Sequence, residues 1–233
     1  MGKPNGEAER PVPHHVAVIG AAGGLGKAIV SVCRESGIRF TAIVRSRPDR
    51  IGAIPKGSRV ATVTSLADKE ALASAFLGAE AVISAVGVTP ASHDASALLS
   101  HNLASIEDAL NLARVDRLLL INTLVAAQPG APASRAMRFF SWIPGTMGRG
   151  ASEQQAVVDA LGKGALASIR WTLVRAAVNA KGKDEPPVAA RDWNGAANSW
   201  SPVSYEAMAR WMLEESAAGA FVRSAPLVSR PRT

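Results

Sequence analysis

Short, continuously apolar runs alternate with stretches whose apolar positions recur every three or four residues. The runs at His15–Ile19, 40–44, 60–63, 81–86, 117–121 and 171–175 predict strands, with a last one at 221–228. Between them, 24–36 places Leu25, Ala28, Ile29 and Val32 on one helical face, closed by Gly37. Ala71, Leu72, Ala75 and Phe76 do the same over 68–77, with Ser65 and Asp68 upstream reading as a capping box. Further helices are predicted at 98–113, 152–166 and 205–215. Strands that are apolar at every position belong in a parallel sheet covered on both faces. Strand–helix alternation in this order predicts an α/β, doubly wound fold.

The second half is less regular. Residues 129–150 are rich in Pro, Gly and aromatics, and 181–202 carry Trp193 and Trp200. Both read as insertions on one domain spanning 15–233, preceded by a flexible tail at 1–14. At 233 residues, 48% hydrophobic and 19% charged, the chain has material for a full core and is not a disordered polymer. Cys33 is the only cysteine, which excludes an intrachain disulfide and a cysteine-based zinc site. His14, His15, His93 and His101 lack metal-ligand spacing, so no metal is expected. The N-terminal stretch lacks the apolar core of a secretory signal. No apolar run approaches the roughly 18–20 residues that span a bilayer. These features predict a soluble, cytoplasmic protein.

The chemistry begins after the first strand, in Gly20-Ala-Ala22-Gly23-Gly24-Leu25-Gly26. Gly20 permits a tight turn, Gly23 lets backbone approach a pyrophosphate, and Gly26 lets the helix pack close to the sheet. The helix N-terminus then faces the phosphates with free N–H groups. The fold expected is therefore Rossmann-like. A site for NAD places Asp or Glu at the end of the second strand. Here that strand ends Val44-Arg45-Ser46-Arg47. Two guanidiniums suit a 2′-phosphate, which a carboxylate would repel, so the expected cofactor is NADP(H).

Charge distribution agrees. The chain carries 26 basic and 19 acidic residues, a net +7 that raises nucleic acid, an anionic membrane or a phosphate as partners. Arg39, Arg45, Arg47, Arg50, Lys56 and Arg59 face Asp49 alone within 39–59. Nucleic-acid-binding signatures are absent. A phosphorylated dinucleotide and a small-molecule substrate are expected, with neither nucleic acid nor membrane as partner.

Beyond the glycine turn, Ile43-Val-Arg45, the run 78–87, the run 117–123, Trp171-Thr-Leu-Val-Arg175 and the run 203–210 carry a wider likeness. From about residue 15 to the end, the chain resembles the atypical short-chain dehydrogenase/reductases of the NAD(P)H-binding, NmrA-like type, which include biliverdin reductase B-like enzymes. The resemblance implies that Gly20, Ala22, Gly23, Gly24, Leu25 and Gly26 hold the pyrophosphate and Arg45, with Arg47, the 2′-phosphate. It implies Ser65 and Leu66 at adenine, and Ala85, Val86 and Gly87 at the nicotinamide-side ribose. Ala176, Ala177 and Val178 would lie beside the nicotinamide, together with Thr123. Thr64-Ser65 replaces the family's Gly-Asp, and Ala176 its usual Pro.

The Tyr-x-x-x-Lys pair of typical short-chain dehydrogenases is missing. Tyr205 is the only tyrosine, is followed by no Lys four residues on, and opens a late helix far from the usual place. Asn122 and Thr123, at the end of the fifth strand, are the candidates to polarise a substrate carbonyl or to bind the nicotinamide ribose. His93 is a candidate general acid. Phe139, Phe140, Trp142 and Met147 are candidates for an apolar substrate wall. The sequence therefore predicts an NADPH-dependent reductase of a small, partly apolar carbonyl, imine or enone, acting as a monomer or homodimer. A non-catalytic NADP(H) sensor and a non-redox cyclase or isomerase on the same fold are the alternatives.

Overall fold

A computed structural model of the chain describes residues 11–87, 99–191 and 200–231. The apolar runs pair in one sheet. β1 (His15–Ile19) lies between β2 (Arg39–Val44) and β4 (Ala81–Ser84), parallel to both. β3 (Arg59–Thr62) extends the sheet beyond β2, while β5 (Arg117–Thr123) and β6 (Arg170–Ala176) extend it beyond β4. β10 (Leu227–Ser229) is parallel to β6, and β8 (Val188–Ala190) closes the edge antiparallel to β10. The order β3-β2-β1-β4-β5-β6-β10-β8 contains the 3-2-1-4-5-6 arrangement of doubly wound dinucleotide-binding folds.

Both faces of every central strand are buried, which is why these segments are continuously apolar. In β1, Val16 and Val18 join the cluster under α1 (Gly24–Glu35) and α6 (Tyr205–Ala218). Ala17 and Ile19 join the opposite cluster, under α2 (Lys69–Phe76), α3 (Leu103–Ala113) and α5 (Thr146–Gly162). Side-chain caps start three helices. Asp68 Oδ1 accepts from the Ala71 N–H at 2.9 Å, without the reciprocal partner of a capping box. Ser204 Oγ accepts from the Ala207 N–H at 3.0 Å to start α6. Ser134 does the same for α4 (Arg135–Trp142) through the Met137 N–H.

Several boundaries differ from the sequence pattern; α3, for instance, starts at Leu103 where 98 is expected. α5 starts at Thr146, six residues before the expected position, although Gly148 and Gly150 weaken helix propensity. Gly148 is there because a Cβ would collide with the Ile143 carbonyl oxygen in the tight corner after α4. The last strand is confined to Leu227–Ser229, because Pro226 has no N–H to donate and the chain upstream makes only an isolated bridge, Thr172 to Ser224. The irregular stretch after 181 supplies the short edge strand β8.

Two buried polar groups tie the sheet together. The His15 ring pairs Nδ1 with the Gly78 carbonyl at 2.8 Å and Nε2 with Thr41 Oγ1 at 3.1 Å. Burial pushes its pKa below the ordinary histidine value, so the ring is neutral at pH 7. Arg117, on β5, is 2% exposed and forms a 2.9 Å ion pair with Glu215 on α6, itself 4% exposed. Its guanidinium also donates to the Arg170 carbonyl at 2.7 Å and Thr172 Oγ1 at 2.8 Å. Burial lowers the Arg117 pKa to about 10 against the opposing pull of Glu215, leaving the group charged at pH 7. Glu215→Ala strands that buried charge and is expected to cost about 3–5 kcal/mol. The readout is the midpoint of urea unfolding, and an unchanged midpoint would show that the pair does not hold α6 to the sheet.

Candidate functional site

A cavity of about 450 Å³ lies where β1 and β4 end, at the point where chain connections depart in opposite directions. Open α/β sheets bind ligands at such a point. The ends of β1 and β2 form its floor through Ile19, Gly20, Ile43, Val44 and Arg45. Val63, Thr64 and Leu66, after β3, close one end. Ala85, Val86 and Gly87 follow β4 along one side, and Ile121 and Val178 reach in from β5 and from beyond β6. The first turn of α1 completes the rim with Gly24 and Leu25.

The glycine turn is shaped by close approach. Gly20 has φ +79, and a Cβ there would lie 3.2 Å from the Ala85 carbonyl carbon. At Gly26 a Cβ would strike the Gly20 carbonyl oxygen and lie 2.7 Å from Ala21 Cα. The Gly20 and Ala21 N–H groups both donate to the Ile43 carbonyl, at 3.1 and 3.2 Å, which fixes the turn against β2. Gly23 is the N-cap residue of α1 and provides no side-chain cap. The first N–H groups of a helix have no intrahelical partner. With no capping oxygen and no acid in the first turn, they are available to an anion in the cavity. Among the described residues, Arg45 is the only charged side chain lining the cavity. A dinucleotide fits this surface: bare backbone and a helix terminus for a diphosphate, apolar walls for two flat rings.

Of the residues singled out in the sequence, Gly20, Gly23, Gly24, Leu25, Arg45, Leu66, Ala85, Val86, Gly87 and Val178 line the cavity. Ala22, Gly26, Ser65 and Ala177 adjoin lining residues in the chain without lining the cavity themselves, and Thr123 and Ala176 lie two residues from one. Ser65 Oγ is engaged by the Ala67 N–H at 3.1 Å. Arg47 takes a left-handed conformation, φ 59, and opens a 3-10 turn outside the lining. Asn122 is buried, and both ends of its amide are used: Nδ2 donates to the Gln154 carbonyl at 3.1 Å and Oδ1 accepts from the Thr123 N–H at 2.7 Å. It locks the end of β5 to α5.

Phe139, Trp142 and Met147 are exposed on α4 and α5, and Phe140 is half-buried against Phe139. None of the four lines the cavity. His93 lies outside the described residues. Among the described residues, no group of three or more His, Cys, Asp or Glu is placed to hold a metal. No helix among them is long and apolar enough to cross a membrane.

The lining adds residues that the motif reading missed. Ile19 and Val44 end their strands, and Ile43 and Ile121 lie one and two residues before the ends of theirs, so the strand-end rule points to all four. Tyr205 has no such local signal. It reaches the cavity because β7 (Val178–Asn179) pairs in parallel with β9 (Val203–Ser204), which leads straight into α6.

A match to the NAD(P)H-binding family spans residues 20–217. The chain belongs to the NAD(P)H-binding family. The matched span takes in the glycine turn, Arg45, Val178 and Tyr205 of this NAD(P)H-binding protein. Its fold is also that of solved structures at low identity. A Rossmann-fold NAD(P)-binding family protein from Shigella flexneri is 17% identical, with TM-score 0.61 over 94% of each chain. The oxidoreductase ylbE from Lactococcus lactis is 16% identical, with TM-score 0.62 over 94% of this chain and 92% of its own. A wide-type short-chain dehydrogenase/reductase from Veillonella parvula, solved with NADP, is 15% identical, with TM-score 0.63 over 95% and 96%. Among curated proteins, none matches.

The packing of the turn makes one clear forecast for this NAD(P)H-binding site. Gly26→Ala sets a Cβ against backbone that no rotamer change relieves, at an expected cost of about 1–3 kcal/mol. Gly23→Ala meets only the Gly20 carbonyl oxygen, at 3.3 Å. Thermal melts should therefore show the larger loss for Gly26→Ala; equal melting temperatures would contradict the close approach.

Proposed function

We propose that this NAD(P)H-binding protein is an NADPH-dependent reductase of a small, partly apolar carbonyl, imine or enone. The observation that carries the cofactor preference is Arg45. Among the described residues it is the only charged side chain lining the cavity, and it stands at the end of β2, where a carboxylate would select NAD. Gly20, Gly23, Gly24 and Leu25 would hold the diphosphate, Arg45 the 2′-phosphate, and Leu66 the adenine. Ala85, Val86, Gly87 and Val178 would flank the nicotinamide, whose dihydro form supplies the hydride.

The apolar character of Ile121, Val86 and Val178 supports a substrate with little charge. Thr123, half-buried at the end of β5, is the hydroxyl offered to a carbonyl oxygen there. Asn122, with its amide engaged, positions Thr123 rather than substrate. Phe139, Phe140, Trp142 and Met147 are proposed as an outer apolar cover, and His93 as a proton source. Burial pushes the Cys33 thiol up to about 12, which keeps it protonated and inert at pH 7. A lone thiol of this kind suits a reducing, cytoplasmic setting.

One observation favours a second reading. Neither α4 nor α5, the two helices between β5 and β6, contains Tyr or Lys. A protein that binds NADP(H) and reports redox state without turning it over would need neither.

Cofactor fluorescence tests the first claim. NADPH should bind well ahead of NADH, and Arg45→Ala should remove roughly 10–100-fold of NADPH affinity, the range for charge-assisted bonds, while sparing NADH. Equal affinities in the unmodified protein would sink the 2′-phosphate assignment. Stereospecific deuterium transfer from C4-labelled NADPH into a carbonyl or enone product separates the two readings. Tight binding without NADPH consumption across a broad panel would favour the sensor.

A further inference from the structure

We propose that the Tyr205 hydroxyl donates a hydrogen bond to the diphosphate of the bound dinucleotide, making α6 part of the cofactor site. This rests on the dinucleotide reading above. Tyr205 is the only tyrosine of the chain and lines the same cavity as the glycine turn. Its ring lies directly on Gly24. A Cβ at residue 24 would be 2.7 Å from both Cε2 and Cζ and 3.0 Å from the hydroxyl oxygen. The ring thus occupies the volume that a side chain at residue 24 would fill, and the hydroxyl stands over the first turn of α1. That turn is the part of the cavity suited to an anion. Among the described residues the hydroxyl has no hydrogen-bond partner. A phenol O–H is a donor, and a diphosphate oxygen only accepts.

The placement of the ring is rigid. The Val203 N–H donates to the Ala177 carbonyl at 2.9 Å, and Val178 and Asn179 pair with Val203 and Ser204. Gly182 lies so close beneath Val203 and Ser204 that a Cβ would strike their backbone. Asp184 contacts Ser204 Oγ at 3.3 Å and Arg210 at 3.0 Å, tying that loop to α6. Tyr205 is therefore held by a short sheet, a capped helix and an ion pair. The segment after β6 that would flank the nicotinamide is part of the same assembly, so closure on the diphosphate and shaping of the substrate end are mechanically joined.

The test is binding to Tyr205→Phe, which keeps the ring and removes only the hydroxyl. The diphosphate is common to NADPH and NADH, so both should weaken by the same factor, roughly tenfold for one bond to a charged acceptor. Adenosine 2′-monophosphate has no diphosphate, and its affinity should not change. Arg45→Ala should give the opposite pattern, weakening NADPH and adenosine 2′-monophosphate but not NADH. Gly24→Ala, which drives the ring outward, should weaken both coenzymes, and its effect should be less than multiplicative with Tyr205→Phe. Unchanged coenzyme affinity in Tyr205→Phe overturns the proposal. So does an equal loss for adenosine 2′-monophosphate, which would mean that the hydroxyl acts through the fold. If the unmodified protein binds neither coenzyme, the dinucleotide reading itself fails, and this proposal with it.

Discussion

The structure depends on how closely the first turn of α1 approaches the end of β1. Gly26 is pressed against the Gly20 carbonyl, and Gly20 against Ala85. This contact sets the angle at which α1 leaves the sheet. It therefore sets which face of α1 reaches the cluster of Val16, Phe40 and Ile83. The same contact brings the bare backbone of residues 20–24 to the edge of the cavity. A side chain at Gly26 would push the helix off the sheet, and one at Gly20 would press on the backbone of Ala85 and Val86 at the cavity edge. Packing and binding are one constraint here, which is why a single glycine pattern reports both.

The first half of the fold was legible because its contacts are local. Each strand runs into its helix, and the alternation of Val16/Val18 with Ala17/Ile19 between two covered faces leaves a period that any window of the sequence displays. The second half obeys longer-range rules. α5 contains glycines that weaken helix propensity, and it forms where Gly148 meets Ile143. β8 is three residues long and exists only because β10 offers an edge. Tyr205 is the sharpest instance. The run 203–210 carries a family likeness but no sign of a cofactor cavity, and the position of Tyr205 in a late helix sets it apart from the usual catalytic tyrosine. Only the pairing of residues 178–179 with 203–204 brings the two together.

Polar side chains divided along a related line. Asn122 sits where α/β ligands bind, and its type suits a carbonyl partner, so position and chemistry both recommended it. Its amide is spent on Gln154 and Thr123 instead. Arg175 likewise has three carbonyl partners, those of Ala225, Ala126 and Arg191, and joins β6 to the chain around it. Buried polar groups must find partners. At a strand end the nearest unsatisfied groups belong to the backbone, and this competes directly with ligand binding. Residue type cannot reveal which demand prevails.

The basic excess follows the same logic. Six cations lie within residues 39–59, and their number first suggested a phosphate site. Arg59, however, donates to Thr41 Oγ1 at 3.2 Å and to the Ser74 carbonyl at 2.6 Å, so it braces β3 against β2 and α2. Arg47 opens a 3-10 turn. Arg39, Arg50 and Lys56 are exposed, outside the lining. Beyond a Debye length of about 8 Å in physiological salt, exposed charges give only a weak, diffuse attraction. Among the described residues, Arg45 alone combines charge with a place on the cavity wall. On the proposed NADPH reading, discrimination between a phosphorylated and an unphosphorylated ribose would fall on one guanidinium at the end of one strand, and the surrounding charge would serve chiefly to draw an anion toward it.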